Sequence, residues 1–172
     1  MINKPEKIIN RIIKATGERQ AILVIGDWQK DLIKGIREKQ NAATIALSTE
    51  NLPDNAFTKI VIDYNSPMFN NEVLFFKEAR RLLLPTGMVI ISANCKENII
   101  DKIINVFKKE HLKEENIKKI KPKLLQDQIH DHGFLIDGYY GYPGGHLLMM
   151  AQIQNKDVST LFATDKQETT VN

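Results

Sequence analysis

Three places in this chain group side chains that could do chemistry. The first is Asp63-Tyr64-Asn65, which closes the apolar, β-branched run Ile60-Val61-Ile62. Open parallel sheets bind ligands at the carboxyl ends of their strands, so Tyr64 and Asn65 are the foremost candidates for ligand contact. The same stretch also suits a plain turn, because Asp63 and Asn65 favour a bend into Ser66-Pro67. The second place is His130-Asp131-His132. Histidines two apart do not share a helix face, and a histidine near a helix C-terminus meets the last carbonyls. A helix end therefore accounts for them better than a metal site. The third is His146, after Gly144-Gly145, where a histidine could serve as a general base or simply close a turn. The nearby Tyr139, Tyr140 and Tyr142 could stack on an aromatic substrate or a partner, or pack.

Composition narrows the classes. A chain of 172 residues, 42% hydrophobic and 26% charged, fits one globular domain with a substantial core. No apolar run approaches the roughly 20 residues that span a bilayer, and the first residues, Met1 to Glu6, lack a signal-peptide core. A single cysteine, Cys95, excludes an internal disulfide and a cysteine-only zinc site. These features point to the cytoplasm. A net charge of +3 is too weak to argue for nucleic acid without a focused patch. Residues 108–123 hold seven lysines and three glutamates, but no arginine or interleaved aromatic, which fits a solvated helical face.

The elements that must position the candidate residues follow from periodicity. Residues 4–16 predict a helix with Asn3 as cap, Ile8, Ile9, Ile12 and Ile13 on one face, and Gly17 as stop. Ala21 to Ile25 is a continuous apolar run, as in strands buried on both faces. After Gly26, Asp27 can cap a helix that turns Leu32, Ile33 and Ile36 inward. Strands are predicted at 43–47, 59–63 and 88–92, with a helix over 72–84 and a Pro85/Gly87 stop. Further helices are predicted at 99–111 and 124–132. Phe134 to Ile136 and Leu147 to Ala151 predict a closing antiparallel pair joined by a Gly/Tyr-rich connection. Strand–helix alternation with short connections predicts an α/β domain over 1–154, mostly parallel, with helices on both faces. Residues 155–172 predict a polar tail.

Several of these stretches resemble class I S-adenosylmethionine (SAM)-dependent methyltransferases of the ubiquinone-biosynthesis type. Leu52-Pro53-Asp54-Asn55-Ala56-Phe57 resembles the segment before that family's fourth strand. Glu78 to Ile91 resembles its E-x-x-R-x-L-x-P-x-G helix, turn and fifth strand, with Thr86 in place of the first of two usual glycines. His132-Gly133-Phe134 resembles the segment before strand six, and Gly144 to Ala151 the closing hairpin. The resemblance implies a Rossmann-like fold and a SAM site built around Gly26, Asp27, Trp28, Ser48, Glu50, Asp63, Tyr64 and Asn65, with the position after strand four facing the transferred methyl group.

The chain departs from the family where the cofactor would bind. The family's first motif is an acid followed by G-x-G-x-G, whereas this chain reads Val24-Ile25-Gly26-Asp27-Trp28-Gln29-Lys30. Only the first glycine remains. Trp28 would set an indole where the cofactor's methionine part lies, and Lys30 would repel its sulfonium. Ser48 replaces the adenine-side aspartate, and only 22 residues separate it from Gly26. The family fits an additional strand and helix in that interval. Either that unit is deleted, or the 43–47 strand takes its place beside strand one. Glu50 is the acid left nearby for a ribose. The anamorsin family's methyltransferase-like domain is a similarly truncated fold, although this chain lacks its cysteine-rich tail.

Two readings follow. One is a truncated methyltransferase-like domain with a degenerate motif, without standard SAM binding, that works as a binding or assembly module for a protein partner. The other is an active methyltransferase of a small apolar or aromatic molecule, with SAM held in a modified pocket by Gly26, Asp27, Glu50 and Tyr64.

Overall fold

The computed structural model describes Ile2, residues 4–95 and residues 119–154. The expected Asn3 cap, the 99–111 helix, most of the lysine-rich segment and the 155–172 tail lie outside the described residues. The described elements are α1 (Glu6–Thr16), β1 (Ala21–Ile25), α2 (Lys30–Glu38), β2 (Ala42–Ala46) and β3 (Phe57–Asp63). A short 3-10 turn (Pro67–Asn70), α3 (Glu72–Leu82) and β4 (Leu83–Cys95) follow. The last four are β5 (Lys119–Ile120), α4 (Pro122–Asp131), β6 (Phe134–Tyr142) and β7 (His146–Ile153).

The strands form one sheet in the order β2-β1-β3-β4-β7-β6, with β5 paired to β4 off that path. β2, β1, β3, β4 and β5 run parallel, while β7 is antiparallel to both β4 and β6. The expected α/β fold with a mostly parallel sheet and a closing antiparallel pair is present. β2 lies directly against β1, in register from Ala21 opposite Ala42 to Ile25 opposite Ala46, so the strand after α2 takes the place next to strand one.

Each face of the sheet carries its own core, as expected from continuous apolar runs whose alternate side chains point opposite ways. Ile22, Val24, Val61 and Ile90 meet Ile8, Ile9 and Ile12 of α1 and Leu32 and Ile36 of α2. Leu23, Ile25, Ile60, Ile62 and Ile91 meet Phe75, Phe76, Ala79 and Leu82 of α3 and Leu125 and Ile129 of α4. The two helices on the first face approach closely. A Cβ added at Gly35 in α2 would lie 2.2 Å from the Ile13 side chain of α1.

Four expectations change. The helix after β1 is capped at Gln29, without a side-chain cap bond, and not at Asp27. The Pro85/Gly87 stop lies inside β4: Phe57 pairs with Leu83 and Lys59 with Met88, so the intervening residues bulge out of the ladder. α3 ends at Leu82, and β4 starts at Leu83 and runs on to Cys95. The Gly/Tyr connection is mostly strand. A register shift between Ile136 and Gly138 lets β6 continue to Tyr142 and turns Tyr140 and Tyr142 onto the α1 face. Arg11 of α1 lies 3.7 Å above the Tyr140 ring centroid.

Candidate functional site

The carboxyl ends of β1, β3 and β4 lie side by side, and Ile2 and Lys4 are bonded across them. Ile2 makes a parallel bridge with Trp28. The Ile2 N–H donates to the Asp27 carbonyl, and the Gln29 N–H donates to the Ile2 carbonyl at 3.0 Å. The Lys4 N–H donates to the Gln29 side-chain oxygen at 2.9 Å. These bonds fasten the N-terminal segment to the loop after β1 and aim Lys4 inward.

Inside, the Lys4 ammonium lies 2.8 Å from a carboxylate oxygen of Asp63, with side chains 4% and 2% exposed. The same oxygen accepts from the Ser92 hydroxyl of β4 at 2.7 Å. The other accepts from the Asn65 N–H at 2.9 Å and its side-chain amide at 3.0 Å. Lys4 also donates to the Asn94 side-chain oxygen at 3.3 Å. Buried charges persist when paired and hydrogen-bonded. With both oxygens engaged, Asp63 is held as a structural anion.

His146 of β7 pairs with Asn94 across the ladder. Burial pushes its imidazole below the usual histidine range, and the Lys4 charge adds to this, while Asp63 opposes it. The ring is therefore neutral at pH 7. Its Nδ1 is buried with no hydrogen-bond partner among the described residues.

The residues singled out from sequence fall into three places. Gly26, Asp27 and Trp28 line a cleft of about 650 Å3 on the α2 side of β1, together with Lys30, Arg37 and Ile45. Gly26 is buried with φ 107, and a Cβ there would lie 2.9 Å from the Ile2 side chain. Trp28 is 5% exposed, and its indole N–H donates to the Ile25 carbonyl at 3.0 Å. Asp27 is exposed. Ser48 and Glu50 lie in the exposed β2–β3 loop beside a separate cleft of about 460 Å3. Asp63, Tyr64 and Asn65 close β3. The Tyr64 ring packs against Phe69, with centroids 4.8 Å apart. Burial and then nearby Glu72 raise its hydroxyl pKa, against a hydrogen bond with Gln128. Asn65 is exposed and makes the turn into Ser66, whose N–H donates to the Asp63 carbonyl at 2.8 Å.

Two groups were not singled out from sequence. One is Lys4, Ser92 and Asn94, which surround Asp63. Ser92 and Asn94 alternate with Ala93 at the end of an apolar strand, a polar signature on one edge, whereas nothing local marks Lys4. The other is Arg81, which ties down the β2–β3 loop. It donates to the Leu52 carbonyl at 2.9 Å, to the Thr49 carbonyl at 3.0 Å and to Glu78 at 2.7 Å, and it pairs with Asp54. The hydrogen bond from Arg81 is the main reason that the Glu78 carboxyl is held below its usual range.

No family model matches this chain, and no curated protein does. Solved structures do. A 1,6-didemethyltoxoflavin-N1-methyltransferase from Burkholderia thailandensis, with 1,6-didemethyltoxoflavin and S-adenosylhomocysteine bound, superposes with TM-score 0.64 at 12% identity. The match covers 87% of this chain and 78% of that one. A SAM-dependent methyltransferase from Archaeoglobus fulgidus gives 0.63 at 10% identity, covering 85% and 91%. One from Aquifex aeolicus gives 0.59 at 16% identity, covering 87% and 94%. At these identities the likeness is one of fold: the chain has the Rossmann-like fold of SAM-dependent methyltransferases.

Proposed function

With the methyltransferase fold as the frame, we propose that this chain is a truncated methyltransferase-like binding or assembly module whose own residues take up the standard SAM position. The observation that carries this reading is the Lys4–Asp63 ion pair, buried at the strand ends where the resemblance puts the transferred methyl group. A sulfonium brought to that place would meet an ammonium, and the Asp63 carboxylate is already paired with it. The loop after β1 supports the same reading, because Ile2 and the indole of Trp28 crowd the space beside Gly26. The placement of β2 directly beside β1 fits a sheet shortened at that edge. The partner of such a module is a protein.

The competing reading, an active methyltransferase of a small apolar or aromatic molecule, has the cleft beside Gly26 and Asp27 in its favour. Against it, Glu50 lines the other cleft and Tyr64 packs into the aromatic core, so the four residues it needs are spread over three places.

The test is thermal unfolding with and without millimolar SAM or S-adenosylhomocysteine. A ligand at 100 times its dissociation constant adds about 2.7 kcal/mol to stability. No shift is expected. A shift that a Gly26 substitution abolishes would sink the module reading.

A further inference from the structure

Among the described residues, strand β2 is bonded on one side only. In a parallel pair, alternate residues turn their N–H and C=O toward the neighbour. The Ala42 N–H donates to the Gln20 carbonyl at 2.9 Å, and the Ala46 carbonyl accepts from the Gly26 N–H at 3.0 Å. Ala42, Thr44 and Ala46 therefore serve β1, which leaves the backbone groups of Ala43 and Ile45 directed away from the sheet. Proteins ordinarily guard such an edge with a charge, a proline or a bulge. Ala42-Ala43-Thr44-Ile45-Ala46 has no charge and no proline, and its register with β1 is unbroken.

Apolar groups and an excess of basic over acidic side chains border this edge. Ile45 is 48% exposed, and Leu47, next in line, 75%. Ile45 shares the 650 Å3 cleft with Ile33, with the basic Lys30, Lys34 and Arg37, and with the acidic Asp27 and Glu38. Lys34 there is paired with Glu38 at 3.8 Å, whereas Lys30 and Arg37 are exposed and have no acidic partner among the described residues.

We propose that the β2 edge is a docking site for an extended acidic segment of a partner protein, which adds to the sheet as a strand. Its backbone bonds the outward groups of Ala43 and Ile45. Its apolar side chains cover Ile45 and Ile33, and its carboxylates meet Lys30 and Arg37. Strand addition takes affinity from the main chain and specificity from alternate side chains. A second copy of this chain fits less well, because pairing two β2 edges would bring Lys30, Lys34 and Arg37 of each copy toward those of the other. The inference deepens the module reading and rests on it for its purpose, whereas the edge geometry does not depend on whether SAM binds.

The experiment uses the full chain and the labelled peptide Glu-Val-Glu-Val-Glu-Val-Glu, with Lys-Val-Lys-Val-Lys-Val-Lys as control. Fluorescence anisotropy is expected to show saturable binding of the acidic peptide alone, weakened about tenfold or more (1.4 kcal/mol) in the surface double variant Lys30→Glu/Arg37→Glu. Amide exchange is expected to slow at Ala43 and Ile45 on binding and to stay unchanged at Ala42 and Thr44. Ile45→Pro removes an outward N–H that the sheet does not use and is expected to abolish binding while the fold survives. Absent binding, equal binding of the basic peptide, or unchanged exchange at Ala43 and Ile45 would overturn the proposal. So would a concentration-dependent dimer that Ile45→Lys returns to monomer, which would assign the edge to a second copy. A melting shift with S-adenosylhomocysteine bears only on the module reading, so the two fail separately.

Discussion

Lys4 and Asp63 are far apart in sequence, yet their charged groups meet at 2.8 Å in a place almost closed to solvent. Removing one member of such a pair strands the other charge, at a cost of about 3–5 kcal/mol. Lys4→Met and Asp63→Asn are each expected to lower unfolding stability by about 3 kcal/mol or more in urea titrations. The double variant should be more stable than either single one. Additive losses would show that the two charges are not coupled.

His146 makes stability depend on pH. Burial, chiefly, holds its folded pKa below the ordinary value of 6.5. The unfolded chain then takes up a proton before the folded one does, so the unfolded state gains as pH falls through 6.5. Stability is expected to decline from pH 7 toward pH 5, and His146→Gln should flatten that slope. Urea midpoints measured at half-unit pH intervals would show it, and an unchanged slope in the variant would locate the titration elsewhere.

Arg81 is the clamp on the β2–β3 loop. Lysine cannot reproduce a fork that reaches two carbonyls and two carboxylates at once. Arg81→Lys is expected to cost about 1–2 kcal/mol and to speed amide exchange and proteolysis within residues 48–55, leaving α1 and α2 unaffected. Because Glu78 then loses its main hydrogen-bond donor, the part of stability lost as pH falls below about 4.5 should also shrink.

Gly35 reports how tightly α1 and α2 pack. Alanine in a helix is ordinarily about 1 kcal/mol better than glycine. Here a Cβ would lie 2.2 Å from Ile13, and overpacking of that kind costs about 1–3 kcal/mol. Net of the propensity gain, Gly35→Ala is expected to destabilise by up to about 2 kcal/mol, and Ile13→Val on the same chain, which removes the nearest atom, to recover part of it. A more stable Gly35→Ala would mean that the helices separate without penalty.

The sheet was legible because Ile22 to Ile25 and Ile60 to Ile62 are apolar on both faces, a pattern that a buried parallel strand requires. The facing helices were legible for the same reason, as in the Ile8, Ile9, Ile12 repeat. β6 was misjudged at its far half because Gly138-Tyr139-Tyr140-Gly141 has turn composition. The strand persists because a register shift changes which face is inward, and because Met150 packs across Gly138, where a Cβ would lie 2.3 Å from it. The Asp63 surroundings were only half legible. Its place at a strand end follows from local pattern, but its partners Lys4 and Ser92 arrive through pairings that no window of sequence contains. Arg81 stands at the arginine of the E-x-x-R-x-L-x-P-x-G stretch, but its hold on Thr49, Leu52 and Asp54 likewise joins segments that no single window contains.

The last described strand is an inner one. β7 lies between β4 and β6, with Asn94 opposite His146 and Met88 opposite Gln152. Contacts this distant in sequence raise contact order and slow folding. As the chain is synthesised, β4 is complete long before its neighbour, and its apolar flank must wait. That flank is covered only when residues 146–153 arrive. Damage to that segment should trap a half-formed, aggregation-prone intermediate and not merely fray an end.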